Sequence, residues 1–449
     1  MITNKRRRLA TIAVGGLGLA LVAASCGAPE NNASDKLSDD ELDCANYEQF
    51  GSYKDGESVT IYSPITAAEA DAFEAAWAPF QECTGLEIVY DGSNEFEAQI
   101  KVRVDGGDAP DIAFFPQPGL MQNYADKLVP ASDKLAETAT AGWSEDWLQY
   151  GTIDDTLYAA PLSGNLKSLV WYSPSYFKDN KYEVPETWED MMALSEKIAE
   201  AGTKPWCAGI GSDAATGWPA TDWLEDMMLR ESGGDVYDQW VNHDIAFDDE
   251  AVVTALDKAG SILKNDDFVN GGHGSVKSIA QTSFEEAGLP ILDGECAMHR
   301  QASFYGAQWG EDVKVGPDGD VFAFFLPGNT AEEKPLLGGG EFVAAFSDAP
   351  EVDAFRTYLA SGLFANARMK TGPWASAHSE ADPANASDPL MKMVVELFGD
   401  ENAEFRFDAS DLMPGDIGSG AFFKEMTNWI NGKSSEDALG AVEKAWQDS

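Results

Sequence analysis

The letters SVTIY at residues 58–62 open the part of the sequence that decides the fold. Two further runs, LEIVY at 86–90 and DIAFF at 111–115, have the same β-branched and aromatic composition, which is typical of strands. Between these runs, residues 67–83 carry apolar side chains three or four positions apart, and residues 96–105 also have a helical pattern. The order strand, helix, strand, helix, strand predicts a parallel α/β sheet.

The alternation of strands and helices continues through the rest of the chain. Further strands are predicted at residues 169–172, 321–326 and 342–346, and further helices at 187–201, 249–264, 352–363 and from 388 onward. Thr187 is suited to cap the helix that follows it, because its hydroxyl can accept a backbone N–H and the first turn carries two acidic residues. The sequence contains no internal repeat.

Length and charge limit the classes of protein that the sequence can encode. A chain of 449 residues is too long for one hydrophobic core, and 44% hydrophobic residues indicate a packed protein of two lobes or domains. The formal net charge of -47 repels phosphate backbones and anionic lipid surfaces, which argues against nucleic acid as a partner. Solubility alone is the simplest explanation of the acidity.

The N-terminus has the composition of a secretion signal. A basic patch at residues 5–8 precedes residues 9–25, which carry no charge. A membrane-spanning anchor is the alternative, but the apolar stretch is shorter than the ~20 residues that a spanning helix needs. Small residues lead directly into Cys26, which resembles a bacterial lipobox. We therefore expect residues 1–25 to be a lipoprotein signal peptide and Cys26 to be acylated, in preference to a conventional cleaved signal.

The segment after the lipobox predicts how the protein is held at the cell surface. Residues 26–56 are polar and are predicted to form a flexible tether between the membrane and the folded part. The protein would then sit on the extracellular face of the cell membrane, attached only through its lipid. Acyl chains anchor a protein durably, because each buried CH₂ contributes about 0.8 kcal/mol.

Four cysteines remain once Cys26 is set aside, and an even number in a secreted protein favours disulfides. Three pairings are possible. We favour Cys44–Cys83 and Cys207–Cys296, which keep each bridge within one region of the chain, and each could contribute about 3–5 kcal/mol to stability. A metal site is disfavoured, because the chain has no C-x-x-C pair and its four histidines show no ligand spacing. We expect neither a metal nor another cofactor.

Several short motifs occur in the order found in a known family. They are GGDAPDIA at 106–113, LYAAP at 157–161, SLVWY at 168–172, PETWED at 185–190, ATGWP at 215–219, MHRQA at 298–302, GGGEF at 338–342 and SDLMP at 410–414. With these motifs the chain resembles the extracellular solute-binding proteins of carbohydrate ABC importers, a family that includes maltose-binding protein. It is most similar to the alpha-glucoside-binding branch, and the resemblance covers nearly all of residues 57–449.

The resemblance implies a two-lobed α/β fold of the periplasmic-binding-protein type, with a ligand cleft between the lobes and several hinge crossovers. The N-terminal lobe is expected to comprise residues 57–163 and 322–370, and the C-terminal lobe residues 164–321 and 371–449. A monomer would capture a carbohydrate, an alpha-glucoside or a short oligosaccharide, and deliver it to the membrane permease subunits of an ABC importer. Such a protein is not expected to be an enzyme.

A sugar presents hydroxyl groups and apolar C–H faces, so its pocket needs flat aromatic rings and polar side chains. The chain has 13 tryptophans, more than packing demands, and Trp218 lies in a Gly-Trp-Pro turn that could present its indole. Gln117 follows a predicted strand, and ligands of α/β sheets gather at the carboxyl ends of strands. The candidate ligand-binding residues are Gln117, Asn165, Trp218, Asp222, Arg300, Gln301, Glu341, Trp374 and Phe423.

Most of these candidates also have a purely structural explanation. Trp218 or Phe423 could instead fill a core, and Asp222 could be a charge at the N-terminus of a helix. Gln117 could cap a loop, and Glu341, which follows three glycines, could form a salt bridge at a hinge.

Other functions remain open at this stage. A secreted glycoside hydrolase could use Glu341 and Asp222 as its two carboxylates, which a retaining enzyme holds ~5–5.5 Å apart, although neither residue lies in a glycosidase motif. A surface-adhesion protein would show repeats or a cell-wall anchor, and the sequence has neither. Within the binding class, the acidic balance could suit a polyamine, a peptide or a metal, whereas aromatic residues beside polar loops favour a sugar.

Overall fold

The computed structural model describes residues 42–54, 56–310, 312–400 and 402–448. The predicted signal peptide, Cys26 and the predicted tether up to residue 41 lie outside the described residues. Within the described residues, no helix combines the length and the apolar character that crossing a bilayer requires. The chain divides into the units Met1–Asp43 and Cys44–Ser449, and the second unit contains all the elements described below.

The strands of the second unit are short. In chain order they are β1 Ser58–Ser63, β2 Glu87–Gly92, β3 Ile112–Phe115, β4 Thr152–Ile153, β5 Thr156–Leu157, β6 Ala159–Pro161, β7 Asn165–Leu166, β8 Leu169–Tyr172, β9 Lys204–Cys207, β10 Cys296–Arg300, β11 Phe322–Phe325, β12 Pro335–Gly339, β13 Phe342–Ala345 and β14 Glu404–Phe407. Five predicted strands coincide with observed ones, within two residues at each end. The predictions at 58–62, 86–90, 111–115, 169–172 and 342–346 correspond to β1, β2, β3, β8 and β13.

The helices alternate with these strands along the chain. They are α1 Ala67–Thr84, α2 Phe96–Gly106, α3 Pro118–Gln122, α4 Asp133–Gly142, α5 Glu145–Leu148, α6 Pro174–Asn180, α7 Trp188–Glu200, α8 Trp218–Val241, α9 Glu250–Leu263, α10 Phe284–Ala287, α11 Pro350–Leu359, α12 Gly362–Met369, α13 Pro389–Phe398, α14 Ala409–Leu412, α15 Phe423–Ile430 and α16 Ser435–Asp448. A π-helical segment, Asp416–Phe422, leads into α15.

Two sheets form the centres of two lobes. The first sheet has the order β2-β1-β3-β13-β6, in which β1 pairs in parallel with β2 and β3, while β13 runs antiparallel to β3 and β6. The second sheet has the order β11-β8-β10-β9 and mixes parallel and antiparallel pairs. The parallel sheet predicted from residues 58–115 is confirmed for its three strands, and the two-lobed α/β class is confirmed as well.

A third sheet consists of the segments that cross between the lobes. It has the order β14-β12-β7. Along the chain, β7 lies between β6 of the first sheet and β8 of the second, and β12 lies between β11 of the second and β13 of the first. Because the central strand β12 is hydrogen-bonded to both β14 and β7, the connection between the lobes is a small sheet rather than three separate loops.

The observed pairing corrects the predicted lobe boundaries. β11 pairs with β8 in the second sheet, so the return to the first lobe comes at β12 and not at residue 322. Residues 371–398 also stay with the first lobe, since the Trp374 ring packs 6.2 Å from the Phe73 ring and Phe398 packs 6.0 Å from Trp147. The chain enters the second lobe for the last time after β14, where Ala409 joins the second core.

The helix predictions hold where capping and periodicity agree. The Thr187 hydroxyl accepts the Asp190 backbone N–H at 3.1 Å and begins α7, as predicted. The single helix predicted at 352–363 is wrong: two helices, α11 and α12, meet at Ser361, whose hydroxyl accepts the Phe364 N–H at 3.4 Å. The helical region predicted from 388 onward is interrupted by β14.

Both favoured disulfides are present. Cys207–Cys296 joins the neighbouring parallel strands β9 and β10, and Cys44–Cys83 ties the N-terminal segment to α1. Tyr47 and Phe50 are buried beside that second bridge, with ring centres 5.9 Å and 5.5 Å from Tyr358. The end of the predicted tether is therefore part of the folded unit from Cys44 onward, because burial of these two rings holds it on the first lobe.

Candidate ligand-binding cleft

A cleft of about 610 Å³ lies between the two lobes and is floored by the crossing strands. One wall begins where the strands of the first sheet end: Pro64–Thr66 follow β1, Asn94 follows β2, and Pro116 and Gln117 follow β3. The carboxyl ends of parallel strands meet at one edge of a sheet, which is where α/β proteins bind ligands. The position of the cleft therefore follows from the sheet topology.

Gln117 is held in this wall by Glu97 of α2. Its side-chain NH₂ donates to the Glu97 carboxylate at 3.1 Å, while the other end of the amide, Oε1, has no hydrogen-bond partner within the described residues. Gln117 is only 6% exposed, so Oε1 is an acceptor withheld from water. Burial also raises the pKa of Glu97, and the hydrogen bond from Gln117 opposes that effect. Gln117, a predicted ligand-binding residue, therefore lines the cleft.

Glu69 of α1 and Glu341, next to the crossing strand β12, place two carboxylates in the same wall. The Ser163 hydroxyl donates to the Glu341 carboxylate and accepts the Glu341 backbone N–H at 3.1 Å. Gly340 makes this approach possible, because a side chain there would meet the Ser163 carbonyl oxygen at 2.2 Å. Burial, together with the charge of Glu341, raises the pKa of Glu69 to about 7, and burial raises the pKa of Glu341.

Glu69→Gln is expected to stabilise the empty protein above pH 7 by at least about 1 kcal/mol, the equivalent of one pKa unit after allowance for partial exposure. The folded state raises the pKa of Glu69 from 4.5 to about 7, so the stability that this residue contributes falls as pH rises through that interval. The gain should therefore be small at pH 4.5 and largest at pH 8. Urea unfolding at both pH values measures it, with the exposed Glu82→Gln on the same helix as control. An equal gain at both pH values would contradict the prediction.

The opposite wall is aromatic. Trp218 begins α8 and lies with Phe284 and Phe304 in a group of three rings whose centres are 5.1–6.1 Å apart. Phe423 lies beside this group in the lining of the cleft. The backbone turn at Gly217 (φ 121°) allows the close approach, because a Cβ there would lie 2.1 Å from the Phe423 carbonyl oxygen. Trp218 is part-exposed, so it is a cleft residue and does not plug the core.

Asn165 and Lys167, on and after β7, line the floor of the cleft. The Lys167 ammonium forms ion pairs with Asp408, with Asp222 at 3.3 Å and with Asp411 at 3.5 Å. Burial lowers the pKa of Lys167, but these carboxylates outweigh it and hold that pKa well above its ordinary value. The ammonium is therefore a permanent charge whose hydrogen bonds are already taken by the protein.

Asp222 and Arg300 do not line the cleft, which corrects their prediction as ligand residues. Both are buried beneath the floor, where the Arg300 guanidinium donates to Asp222 at 2.7 Å and to Asp226 at 2.6 Å and 2.9 Å. Their partners are charges on other elements, so the ions compensate one another inside the second lobe. The same contacts argue against a glycoside hydrolase that uses Glu341 and Asp222 as its two carboxylates.

Gln301 and Trp374 are also misplaced by the prediction. Gln301 is fully buried, and its side-chain oxygen accepts the Ala302 N–H at 2.8 Å. Trp374 is 2% exposed and packs against Phe73 and Phe364 in the first core. Both residue types are suited to contact a ligand, but in this structure their side chains are packed inside the protein.

Several lining residues escaped the sequence analysis. They are mostly polar residues of loops and helix ends in both lobes, among them Thr66, Glu69, Asn94, Glu97, Ser212, Asp213, Gln281, Phe284, Phe304, Gln308 and Asp411. The position of Asn94 two residues after β2 is the signal that could have identified it, by the same reasoning as for Gln117, which lies two residues after β3. The others are brought to the cleft by tertiary packing.

Sequence and structure comparisons agree with this architecture. The family described as bacterial extracellular solute-binding protein matches residues 66–361. The osmoprotective compounds-binding protein GgtB of Synechocystis sp. is 40% identical over 88% of this chain and 93% of its own length. The alpha-glucosides-binding periplasmic protein AglE of Rhizobium meliloti is 39% identical over 91% of both chains.

Solved structures share the fold at low identity. The bacterial solute receptor AcbH, described as preferring β-D-galactopyranose, superposes with a TM-score of 0.75 at 17% identity, over 87% of this chain and 99% of its own. The maltose-bound MalE3 of T. maritima gives 0.67 at 16% identity, over 88% and 100% of the two chains. With two curated relatives near 40% identity and a family match over most of its folded part, this chain belongs to the bacterial extracellular solute-binding protein family.

Proposed function

We propose that the protein captures a sugar, an alpha-glucoside or a short oligosaccharide, in the cleft and hands it to the permease of an ABC importer. One observation carries the proposal: the three rings around Trp218 face, across the cleft, a wall of hydrogen-bond acceptors that includes Glu69 and Gln117. Rings pack on the C–H faces of a sugar, and carboxylate and amide oxygens accept from its hydroxyls. The name of the relative AglE supports an alpha-glucoside.

A ligand in this position would contact both lobes at once. It would therefore favour the closed arrangement in proportion to its extra affinity for that arrangement, and the sheet of crossing strands would act as the hinge. The lobe boundaries that this hinge implies lie within the segments 162–168, 326–341 and 399–408, on either side of β7, β12 and β14. A monomer suffices for this mechanism.

The proposal places the protein on the extracellular face of the membrane, held by acyl chains on Cys26. The support is the basic patch, the uncharged stretch and the small residues before that cysteine. The two disulfides fit an oxidising compartment, because cytosolic thiols are kept reduced. The protein is proposed to bind its sugar without cleaving it, since Asp222, the second carboxylate of the hydrolase alternative, is held by Arg300 beneath the cleft floor.

A thermal-shift screen tests the proposal. A sugar present at 100 times its dissociation constant should add about 2.7 kcal/mol to the free energy of unfolding. The panel contains trehalose, maltose, sucrose, glucose and a trisaccharide, with spermidine and a tripeptide as ligands of other classes. A shift with a sugar and none with the others is expected. Stabilisation by spermidine or the tripeptide alone, or release of glucose from a disaccharide, would contradict the proposal.

A further inference from the structure

The charges that line the cleft are unbalanced. Within the described lining residues, six carboxylates face a single ammonium: Glu69, Glu97, Asp213, Glu285, Glu341 and Asp411 against Lys167. Lys167 already forms ion pairs with Asp222, Asp408 and Asp411, so its charge is offset within the protein. The remaining carboxylates have no basic side chain within ion-pair distance in the described part of the chain, and the cleft carries a net negative potential.

Three of these carboxylates, Glu69, Glu97 and Glu341, lie on the first-lobe wall. Glu69 and Glu341 interact there with the same sign, and each is partly withdrawn from water. Arg368 is 1% exposed and stacks over the Phe73 ring at 4.5 Å, and its charge opposes the rise in the pKa of both carboxylates. The positive charge of Arg368 therefore offsets the two carboxylates only in part, since both pKa values stay raised, and Arg368 is not among the residues that line the cleft.

A second observation independently indicates that a donor is missing from this wall. Gln117 is more than nine-tenths buried, lines the same wall and leaves its Oε1 acceptor without a partner in the described residues. Its NH₂ group is held by Glu97, so the amide presents its oxygen and not a donor. A buried acceptor without a donor costs about 1–3 kcal/mol until a ligand supplies one.

We infer that the first-lobe wall receives a positively charged group, so that the preferred ligand of the cleft is a sugar bearing an amino group. An ammonium donates three hydrogen bonds, whereas a hydroxyl donates one. Hydrogen bonds between ions are also about twice as strong as neutral ones. Phosphorylated, sulfated and uronic-acid sugars are disfavoured by the same wall. This inference rests on the proposed sugar-binding function and specifies its ligand.

Isothermal titration calorimetry on the full protein compares trehalose and maltose with their 6-amino-6-deoxy derivatives. At pH 8 an amino derivative should bind at least about tenfold more tightly than its parent, the effect of one charge-assisted hydrogen bond. The advantage should shrink as pH falls from 8 to 6, because Glu69 takes up a proton while an alkyl ammonium stays charged. The other groups facing Glu69 and Glu341 are Arg368, Tyr90 and Lys167. Arg368 already carries a positive charge near both carboxylates, so the ligand ammonium must interact with them more strongly than Arg368 does.

Variants separate the charge effect from a loss of folding. Glu69→Gln and Glu341→Gln should each reduce the preference for the amino derivative by about tenfold at pH 8, and Glu69→Gln should also abolish its pH dependence. Both side chains line the cleft, so each variant should also weaken binding of the parent sugar, but by a smaller factor, because glutamine keeps one acceptor oxygen. Glu82→Gln, on the same helix as Glu69 but outside the cleft, should change none of these properties. Thermal unfolding of each variant checks that the fold is intact.

The outcomes distinguish this inference from the proposed function. Tighter binding of an amino derivative, lost in Glu69→Gln and kept in Glu82→Gln, supports the inference. The inference is overturned if the amino derivatives bind no more tightly than their parent sugars, or no more tightly than another neutral sugar of the panel. The sugar-binding function would still stand in that case. Binding by no sugar of either kind overturns both.

Discussion

Arg300→Met is expected to lower the free energy of unfolding by about 3–5 kcal/mol, which is the usual effect of breaking a buried ion pair by removing one partner. Arg300 is 3% exposed, and its guanidinium makes three hydrogen bonds to Asp222 and Asp226 of 2.6–2.9 Å. Methionine fills a similar volume but donates nothing. Two carboxylates would then remain inside the second lobe without their common partner.

The neighbours of Arg300 can replace only part of what it provides. Asp226 keeps the Arg230 guanidinium at 2.7 Å and the Ser168 hydroxyl at 2.6 Å, and Asp222 keeps Lys167 at 3.3 Å. Each of these donors is already engaged elsewhere, since Arg230 also donates to the carbonyl oxygens of Leu326 and Pro327. The network therefore joins α8 to β10, β11 and the crossing strands, and its loss should also loosen the floor of the cleft.

Chemical denaturation measures this loss, with Lys392→Met as the matched control. Lys392 forms an ion pair with Glu396 at 4.0 Å on an exposed helix face, where such pairs contribute about 0–1 kcal/mol. A large effect at Arg300 and a small one at Lys392 is the expected pattern. Equal, small effects at both positions would show that water or a rearranged side chain compensates Asp222 and Asp226, contrary to the contacts described.

The fold could be predicted from the sequence because its strongest signals are local. Alternating strand and helix patterns predict β1, β2 and β3, and the Thr187 cap marks the start of α7. The lobe boundaries could not be predicted in the same way, because a strand such as β11 has the same composition in either sheet. Its partner β8 lies about 150 residues earlier, and nothing local records that pairing.

Three predicted ligand residues lie in the lining of the cleft next to a local signal that the sequence shows. Gln117 follows β3, Trp218 follows a glycine turn, and Glu341 follows the glycines of β12. Asp222 and Arg300 look equally suitable as ligand contacts. What removes them from the site is the ion pair they form with each other across 78 residues, which a single sequence does not reveal.

The large number of tryptophans was a misleading sign of a sugar-binding pocket. Ten of the thirteen tryptophans are buried, and Trp171, Trp206 and Trp240 have no exposed surface at all. Their abundance therefore reflects two large cores, since aromatic side chains bury more apolar area than other residues. Within the described residues, Trp218 is the tryptophan that lines the cleft. The hypothesis that an indole stacks on the sugar therefore depends on Trp218.

Trp218→Ala is accordingly expected to weaken sugar binding by about 1–3 kcal/mol, or roughly 5- to 150-fold in the dissociation constant. The indole is part-exposed in the cleft and braced by Phe284 at 5.1 Å and Phe304 at 6.0 Å, so its face is held for a ligand before one arrives. The Lys167 ammonium lies 5.8 Å from the ring on the floor side. Trp218→Phe keeps a ring in place and should recover part of the affinity.

Calorimetry with the tightest sugar of the screen measures this effect, and Trp188→Ala provides the control. Trp188 is also part-exposed and lies 4.5 Å from the Lys258 ammonium, but it is outside the cleft. Removing the Trp188 indole should leave the affinity for the sugar unchanged, although it removes a part-exposed ring as Trp218→Ala does. If Trp218→Ala binds as tightly as the unaltered protein, the Trp218 indole makes no contact with the sugar. The stacking part of the proposal would then be wrong for tryptophan, because no other indole reaches the described lining of the cleft.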